Sequence, residues 1–130
     1  METWLTPDKQ FNLPTYNTIR NDRIDGKGGV AILMKKDITY KLIQSSQNTT
    51  PKDPQYIIIK IYNLYLIGIY IQPLYTANKQ FWTQLYKEFK EPFIICGDFN
   101  ENHNTWGSPY NSRGGEILNY YIQSTNTICL

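Results

Sequence analysis

The sequence predicts an α/β (α+β) chain built as a layered sandwich, and three observations carry that expectation. Residues 56–61 and 65–71 are two runs rich in β-branched and aromatic side chains, separated only by a short link around Tyr62-Asn63-Leu64, the pattern of an antiparallel hairpin. Both runs are apolar at nearly every position, so each strand needs a covering layer on both faces. Segments with helical spacing then alternate with strand-like segments, an order that belongs to sheets layered with helices.

Taken in order, a polar start leads through Gly28-Gly29 into Val30-Ala31-Ile32-Leu33, a short apolar run followed by Lys35-Lys36 that reads as a buried strand leaving into a turn. Residues 38–43 alternate moderately, and residues 44–54, rich in Ser, Thr, Asn and Pro, read as a loop. The hairpin follows, and Gln72-Pro73 closes its second strand. Residues 77–89 place Phe81, Leu85 and Phe89 at helical spacing. Pro92 opens a strand over residues 93–96, in which Cys96 is expected to be a small core residue. After a long polar loop, residues 116–123 put Ile117, Leu118, Tyr121 and Ile122 on one helical face, and residues 127–130 look like the opening of another strand.

The 130 residues suit one domain, and 13 basic against 11 acidic side chains leave a net charge of +2, which neither demands nor excludes a polyanionic partner. Eleven Tyr supply apolar area together with hydroxyls able to bond phosphate or water. Cys96 and Cys129 lie far apart with no CxxC or Cys/His spacing, so neither a zinc site nor a disulfide framework is indicated and a reducing compartment is expected. No secretory leader pattern and no membrane-length apolar stretch is visible, so the expectation is an intracellular protein, nuclear or cytoplasmic, with no membrane partner. Gly26-Lys27-Gly28-Gly29 lacks the ending of a phosphate-binding P-loop and precedes a strand, so it reads as a turn.

The most informative stretch is Phe93-Ile94-Ile95-Cys96-Gly97-Asp98-Phe99-Asn100. A buried strand delivers a glycine that lets the backbone bend, then an acid and an amide two residues apart. Period-two geometry would send Asp98 and Asn100 to one side and Phe99 to the other, so that carboxylate and amide converge on one phosphate. A Gly-Asp turn after a strand is common in itself; the context sharpens it. GDFN is followed by His103-Asn104-Thr105-Trp106-Gly107-Ser108, by Asn111-Ser112-Arg113-Gly114 and by an apolar helix. Upstream stand Glu2-Thr3-Trp4-Leu5, Tyr16-Asn17, Arg20-Asn21-Asp22-Arg23 and Gly28-Gly29-Val30-Ala31-Ile32.

In that order these segments resemble the endonuclease domain of non-LTR retrotransposons, within the endonuclease/exonuclease/phosphatase superfamily, over essentially the whole chain. The resemblance implies a four-layered α/β sandwich, here incomplete, and metal-dependent nicking of DNA with Mg²⁺ or Mn²⁺. It implies that Glu2 is a metal ligand, that Asp98 orients or deprotonates the attacking water, that Asn100 holds a phosphate oxygen and that Tyr70 donates its hydroxyl to the scissile phosphate. His103, Trp106 and Arg113 read first as anchors of the loop after GDFN; contact of His103 or Arg113 with substrate DNA comes second.

Against the family pattern, a first strand with its asparagine and a later Ser-Asp-His segment are missing, so residues 1–130 are expected to form a partial domain. Such a chain would be weak or inactive alone, would expose apolar strand surface, and would hold Glu2 loosely near the terminus. Its partners would be DNA and a reverse transcriptase region of a longer parent protein. Two further readings stand beside this one: a non-catalytic relic or DNA-binding module, and a phosphatase of the same superfamily acting on a small phosphoester.

Overall fold

The computed structural model describes residues 2–47, 50, 52–89, 92–125 and 127–129. Among them the strands are β1 (Tyr16–Asn21), β2 (Val30–Lys35), β3 (Lys41–Ser45), β4 (Gln55–Ile61), β5 (Leu64–Tyr70) and β6 (Phe93–Asp98). Helix α1 (Lys79–Lys87) crosses between β5 and β6, and α2 (Arg113–Ser124) follows a single 3-10 turn at Asn104–Trp106. Strands β1 and β2 form one antiparallel sheet, while the second sheet has the order β3-β4-β5-β6. In it β3, β4 and β5 are antiparallel neighbours and β6 joins β5 in parallel, which α1 makes possible as the crossover.

The hairpin forms as its sequence implies, in unbroken register from Gln55↔Tyr70 to Ile61↔Leu64. Its two apolar faces are covered by different layers. Ile57, Ile59 and Tyr70 pack against Ile19, Val30, Ile32 and Met34 of the two-stranded sheet. Ile58, Ile67, Ile69 and Ile71 pack against Trp82 and Leu85 of α1 and Leu118 of α2. The layered α/β arrangement is thus present, as sheet, sheet and helices. Each fully buried Ile in these layers contributes roughly 1.5–3 kcal/mol, and Gly68 lets the sheets close, because a Cβ there would stand 3.2 Å from side-chain atoms of both Ile32 and Val30.

Several elements differ from the sequence expectation, each for a local reason. Strand β1 was hidden in the polar start because only Ile19 of its six residues is buried. Strand β3 occupies Lys41–Ser45 with every residue exposed, and a register shift between Leu42 and Gln44 breaks its alternation. Cys96 is exposed rather than a core residue. Strand β6 sends Phe93 and Ile95 to the helix layer, but the two-stranded sheet packs over β4 and β5, leaving Ile94 50% exposed. Helix α2 begins at Arg113, earlier than its apolar face suggests, because Gly114 and Gly115 carry no helical signal. Residues 127–129 are not a strand, and Thr127 N–H bonds back to the Ile122 carbonyl; residues 126 and 130 lie outside the described residues.

Candidate active site

Tyr70 and Asp98 are register partners at the carboxyl ends of the parallel strands β5 and β6, the end at which open α/β sheets bind their ligands. Ile71 N–H donates to the Asp98 carbonyl at 2.9 Å, which fixes the two strand ends side by side. Gly97 makes this approach possible: at φ +151 a Cβ would lie 1.8 Å from the Ile69 carbonyl oxygen. Beyond Asp98 the chain does not continue as a pleat. Asn100 takes a left-handed conformation at φ +50, its N–H donates to Asp98 Oδ1 at 3.1 Å, and its Nδ2 donates to the Ile71 carbonyl at 2.8 Å. A turn, rather than strand alternation, therefore keeps Asn100 beside Asp98. Phe99 leaves towards the helix layer and stacks on Trp82. Asp98 and Asn100 are both exposed.

Tyr70 is buried in the layer between the sheets, yet its hydroxyl meets the charged groups of the site. Burial, then a hydrogen bond to the Glu2 carboxylate, then the charges of Glu2 and Asp98 push its ionisation up to about 12, against an opposing pull from Arg23. Tyr70 is thus held as a neutral hydrogen-bond donor throughout the physiological range.

Glu2 forms an isolated antiparallel bridge with Val30, and the N–H groups of Thr3 and Trp4 donate to the Gly28 carbonyl at 3.0 and 2.9 Å. Arg20 secures the following segment by donating to the carbonyls of Thr6 and Lys9 while paired with Asp22.

Two residues of this neighbourhood were not singled out from sequence. Arg23, buried and paired with Asp25, and Gln55, whose Oε1 accepts from Gly29 N–H at 2.7 Å, both converge on Gly28. The available signal was the Gly28-Gly29 pair itself, which marks a place where other groups approach the backbone closely.

Among the described residues no three His, Cys, Asp or Glu side chains gather into a metal cluster. The donor set beside Tyr70 nevertheless suits a hard divalent ion. Mg²⁺ takes one or two protein carboxylates and keeps its remaining positions for water and substrate oxygens, and Glu2 and Asp98 supply two carboxylates acting on one phenol.

His103 and Arg113 lie elsewhere. His103 is 5% exposed; its Nδ1 accepts from Thr105 N–H at 3.2 Å, its Nε2 stands 3.5 Å from Glu116 Oε2, and its ring packs on Trp106. It caps the 3-10 turn as a loop anchor. The rest of the motif serves the same end. Ser112 caps α2 through Gly115 N–H and donates to Glu101, while Asn111 bonds Asn104 N–H and Glu116. Gly115 is required because a Cβ would stand 1.9 Å from the Asn102 carbonyl oxygen, while a Cβ on Gly114 would displace the Glu101 carboxylate. Burial pushes the Glu101 carboxyl up, opposed by the hydrogen bonds from Ser112 and Gly115 N–H. Arg113 is exposed and lines a shallow groove of about 600 Å³ with Lys79, Glu116 and Tyr120. That groove contains none of the residues gathered around Tyr70.

The profile of the Endonuclease/Exonuclease/phosphatase family matches residues 1–127. The chain is also 25% identical over 118 residues to a Drosophila melanogaster protein described as "Probable RNA-directed DNA polymerase from transposon X-element". That match covers 89% of this chain and 13% of the relative, so the chain spans a small part of the relative's length. Strand ends, glycine turn and carboxylates sit in the segments that first suggested this kinship, and the chain belongs to the endonuclease/exonuclease/phosphatase family.

Proposed function

We propose that this chain is part of a metal-dependent endonuclease that hydrolyses phosphodiester bonds of DNA, in the manner of a retrotransposon nicking enzyme. The observation that carries the reading is the pairing of Tyr70 with Asp98 at the carboxyl ends of β5 and β6, where the Glu2 carboxylate acts on the same phenol. Kinship with a transposon protein named as a polymerase favours DNA over a small phosphoester as substrate, and a reverse transcriptase region as neighbour in a longer parent. The site of action would be the nucleus or cytoplasm.

In this reading Asp98 orients the attacking water and accepts its proton, an exposed carboxylate being free to do both. Tyr70, kept protonated, donates to a non-bridging phosphate oxygen as charge builds there. Asn100 spends one Nδ2 hydrogen on the Ile71 carbonyl and has the other to offer a phosphate oxygen. A divalent ion held by Glu2 would supply Lewis-acid polarisation of the phosphate.

With its one histidine engaged in the loop after β6, this set is sparse, and cleavage by this chain alone is expected to be slow. That sparseness also favours the second reading, a DNA-binding module that does not cut. Relaxation of supercoiled plasmid in Mg²⁺ or Mn²⁺, abolished by EDTA and by Asp98→Ala, is the expected result. Binding of DNA without any metal-dependent nicking would favour the second reading, and turnover of a soluble phosphomonoester without DNA nicking would favour a phosphatase.

A further inference from the structure

We propose that Arg23 is a substrate-contact residue whose guanidinium binds a backbone phosphate of the DNA next to the one addressed by Tyr70 and Asp98. The inference rests on the nuclease reading above and gives a role to a residue that the sequence placed in a family-like segment without assigning it one.

Arg23 is 8% exposed, and a buried arginine is costly unless its charge is met. Arg23 meets it only in part. Its Nε donates to Asp25 Oδ1 at 2.8 Å and its Nη2 donates to Asp25 Oδ2, while Nη1 has no hydrogen-bond partner among the described residues and is not sealed from solvent. The partner, Asp25, has a side chain 46% exposed. One edge of a rigid donor fork is therefore engaged by Asp25 and another keeps unused donors, the arrangement that suits an incoming phosphate.

Placement follows from Gly28. A Cβ there would stand 2.7 Å from Gln55 Oε1, 3.0 Å from Tyr70 Cε1 and 3.2 Å from Arg23 Cδ, so the missing side chain lets arginine, tyrosine and glutamine close over one point. Arg23 thus lies against the flank of Tyr70. Its charge is felt by Tyr75 as well as Tyr70. Two carboxylates act on Tyr70, and Arg23 is the cation that opposes them. A phosphodiester approaching Glu2 and Asp98 meets two carboxylates, and the neighbouring phosphate is the group Arg23 can draw in.

The test compares the wild-type chain with Arg23→Gln, Arg23→Lys and Asp25→Asn in binding a fluorescein-labelled DNA duplex in EDTA as KCl is raised, alongside plasmid nicking in Mg²⁺. Arg23→Gln should weaken binding roughly ten-fold and reduce the log–log salt slope by about one. Arg23→Lys should keep the slope and lose part of the affinity, a comparison that stands even if the Gln variant fails to fold. Asp25→Asn should bind with the wild-type slope, since it removes the internal partner and leaves the fork. Wild-type affinity and slope in Arg23→Gln would overturn the proposal, as would equal losses in Arg23→Gln and Asp25→Asn accompanied by equal losses of thermal stability. Nicking by the wild type with binding untouched in Arg23→Gln defeats the Arg23 assignment alone. Binding that is weakened in Arg23→Gln, with no nicking by the wild type, defeats the nuclease reading and supports Arg23. Failure of the wild type both to bind and to nick defeats the two together.

Discussion

Two adjacent stretches of this chain use their polar groups in opposite ways. From Asn102 to Asn119 the side chains mostly bond one another: His103 with Thr105 and Glu116, Asn111 with Asn104 and Glu116, Ser108 with Asn102, and Thr105 with Asn119. Just before it, Asp98 is exposed and accepts from Asn100 N–H, and Asn100 lends the Ile71 carbonyl one of its two amide hydrogens. The first stretch spends its hydrogen bonds on its own shape; the second keeps them for something else. Richness in polar motif residues is thus a poor guide to chemistry, and unspent bonding capacity at a strand end is a better one.

The sharpest way to break this contrast is to remove one group from each stretch. Asp98→Ala should lower any nicking rate by about 10²–10⁴-fold while shifting stability by no more than about 0.5 kcal/mol, read from cleavage time courses and denaturant melts on the same preparation. Next in size, Gly97→Ala should destabilise by about 3 kcal/mol or more, because its Cβ would stand 1.8 Å from the Ile69 carbonyl; an unchanged urea midpoint would mean that the β5–β6 seam relaxes freely. His103→Ala should cost about 2 kcal/mol and leave DNA cleavage per folded molecule intact. A selective loss of cleavage there would move histidine into the chemistry.

The smallest effect sharpens the role of Tyr70. A phenol whose ionisation is raised from 10.0 to about 12 contributes stability that is complete below pH 10 and is lost as pH climbs towards 12. Tyr70→Phe should therefore show a shallower alkaline fall in melting temperature across that window than the wild type. Identical slopes would show that the phenol titrates as it does in the unfolded chain.

Much of the frame is legible in the residues themselves. The hairpin announces itself through continuous β-branched runs, α1 through Phe81 and Leu85, and the turn after β6 through Gly97-Asp98. What escaped reading depends on partners distant in sequence. Strand β1 buries only Ile19 and carries no alternation strong enough to register. Cys96 looked like core because its strand is apolar, and the reach of the facing sheet, which decides its exposure, is a tertiary fact. Arg23 and Gln55 gain meaning only from the gap at Gly28, which joins a turn, β4 and β5. Asn100 was placed beside Asp98 by pleat geometry and reaches that place through a left-handed turn, so the adjacency was readable and its cause was not.

Glu2 bridges to Val30 of the two-stranded sheet, Asp98 closes the last strand of the other, and Tyr70 belongs to the apolar filling between them. The reactive geometry is consequently a gauge of how the slabs sit on each other. A substitution deep in the filling, at Ile32 or Ile59 and remote from any substrate, would slide one carboxylate past the other and detune the centre without touching a single polar atom.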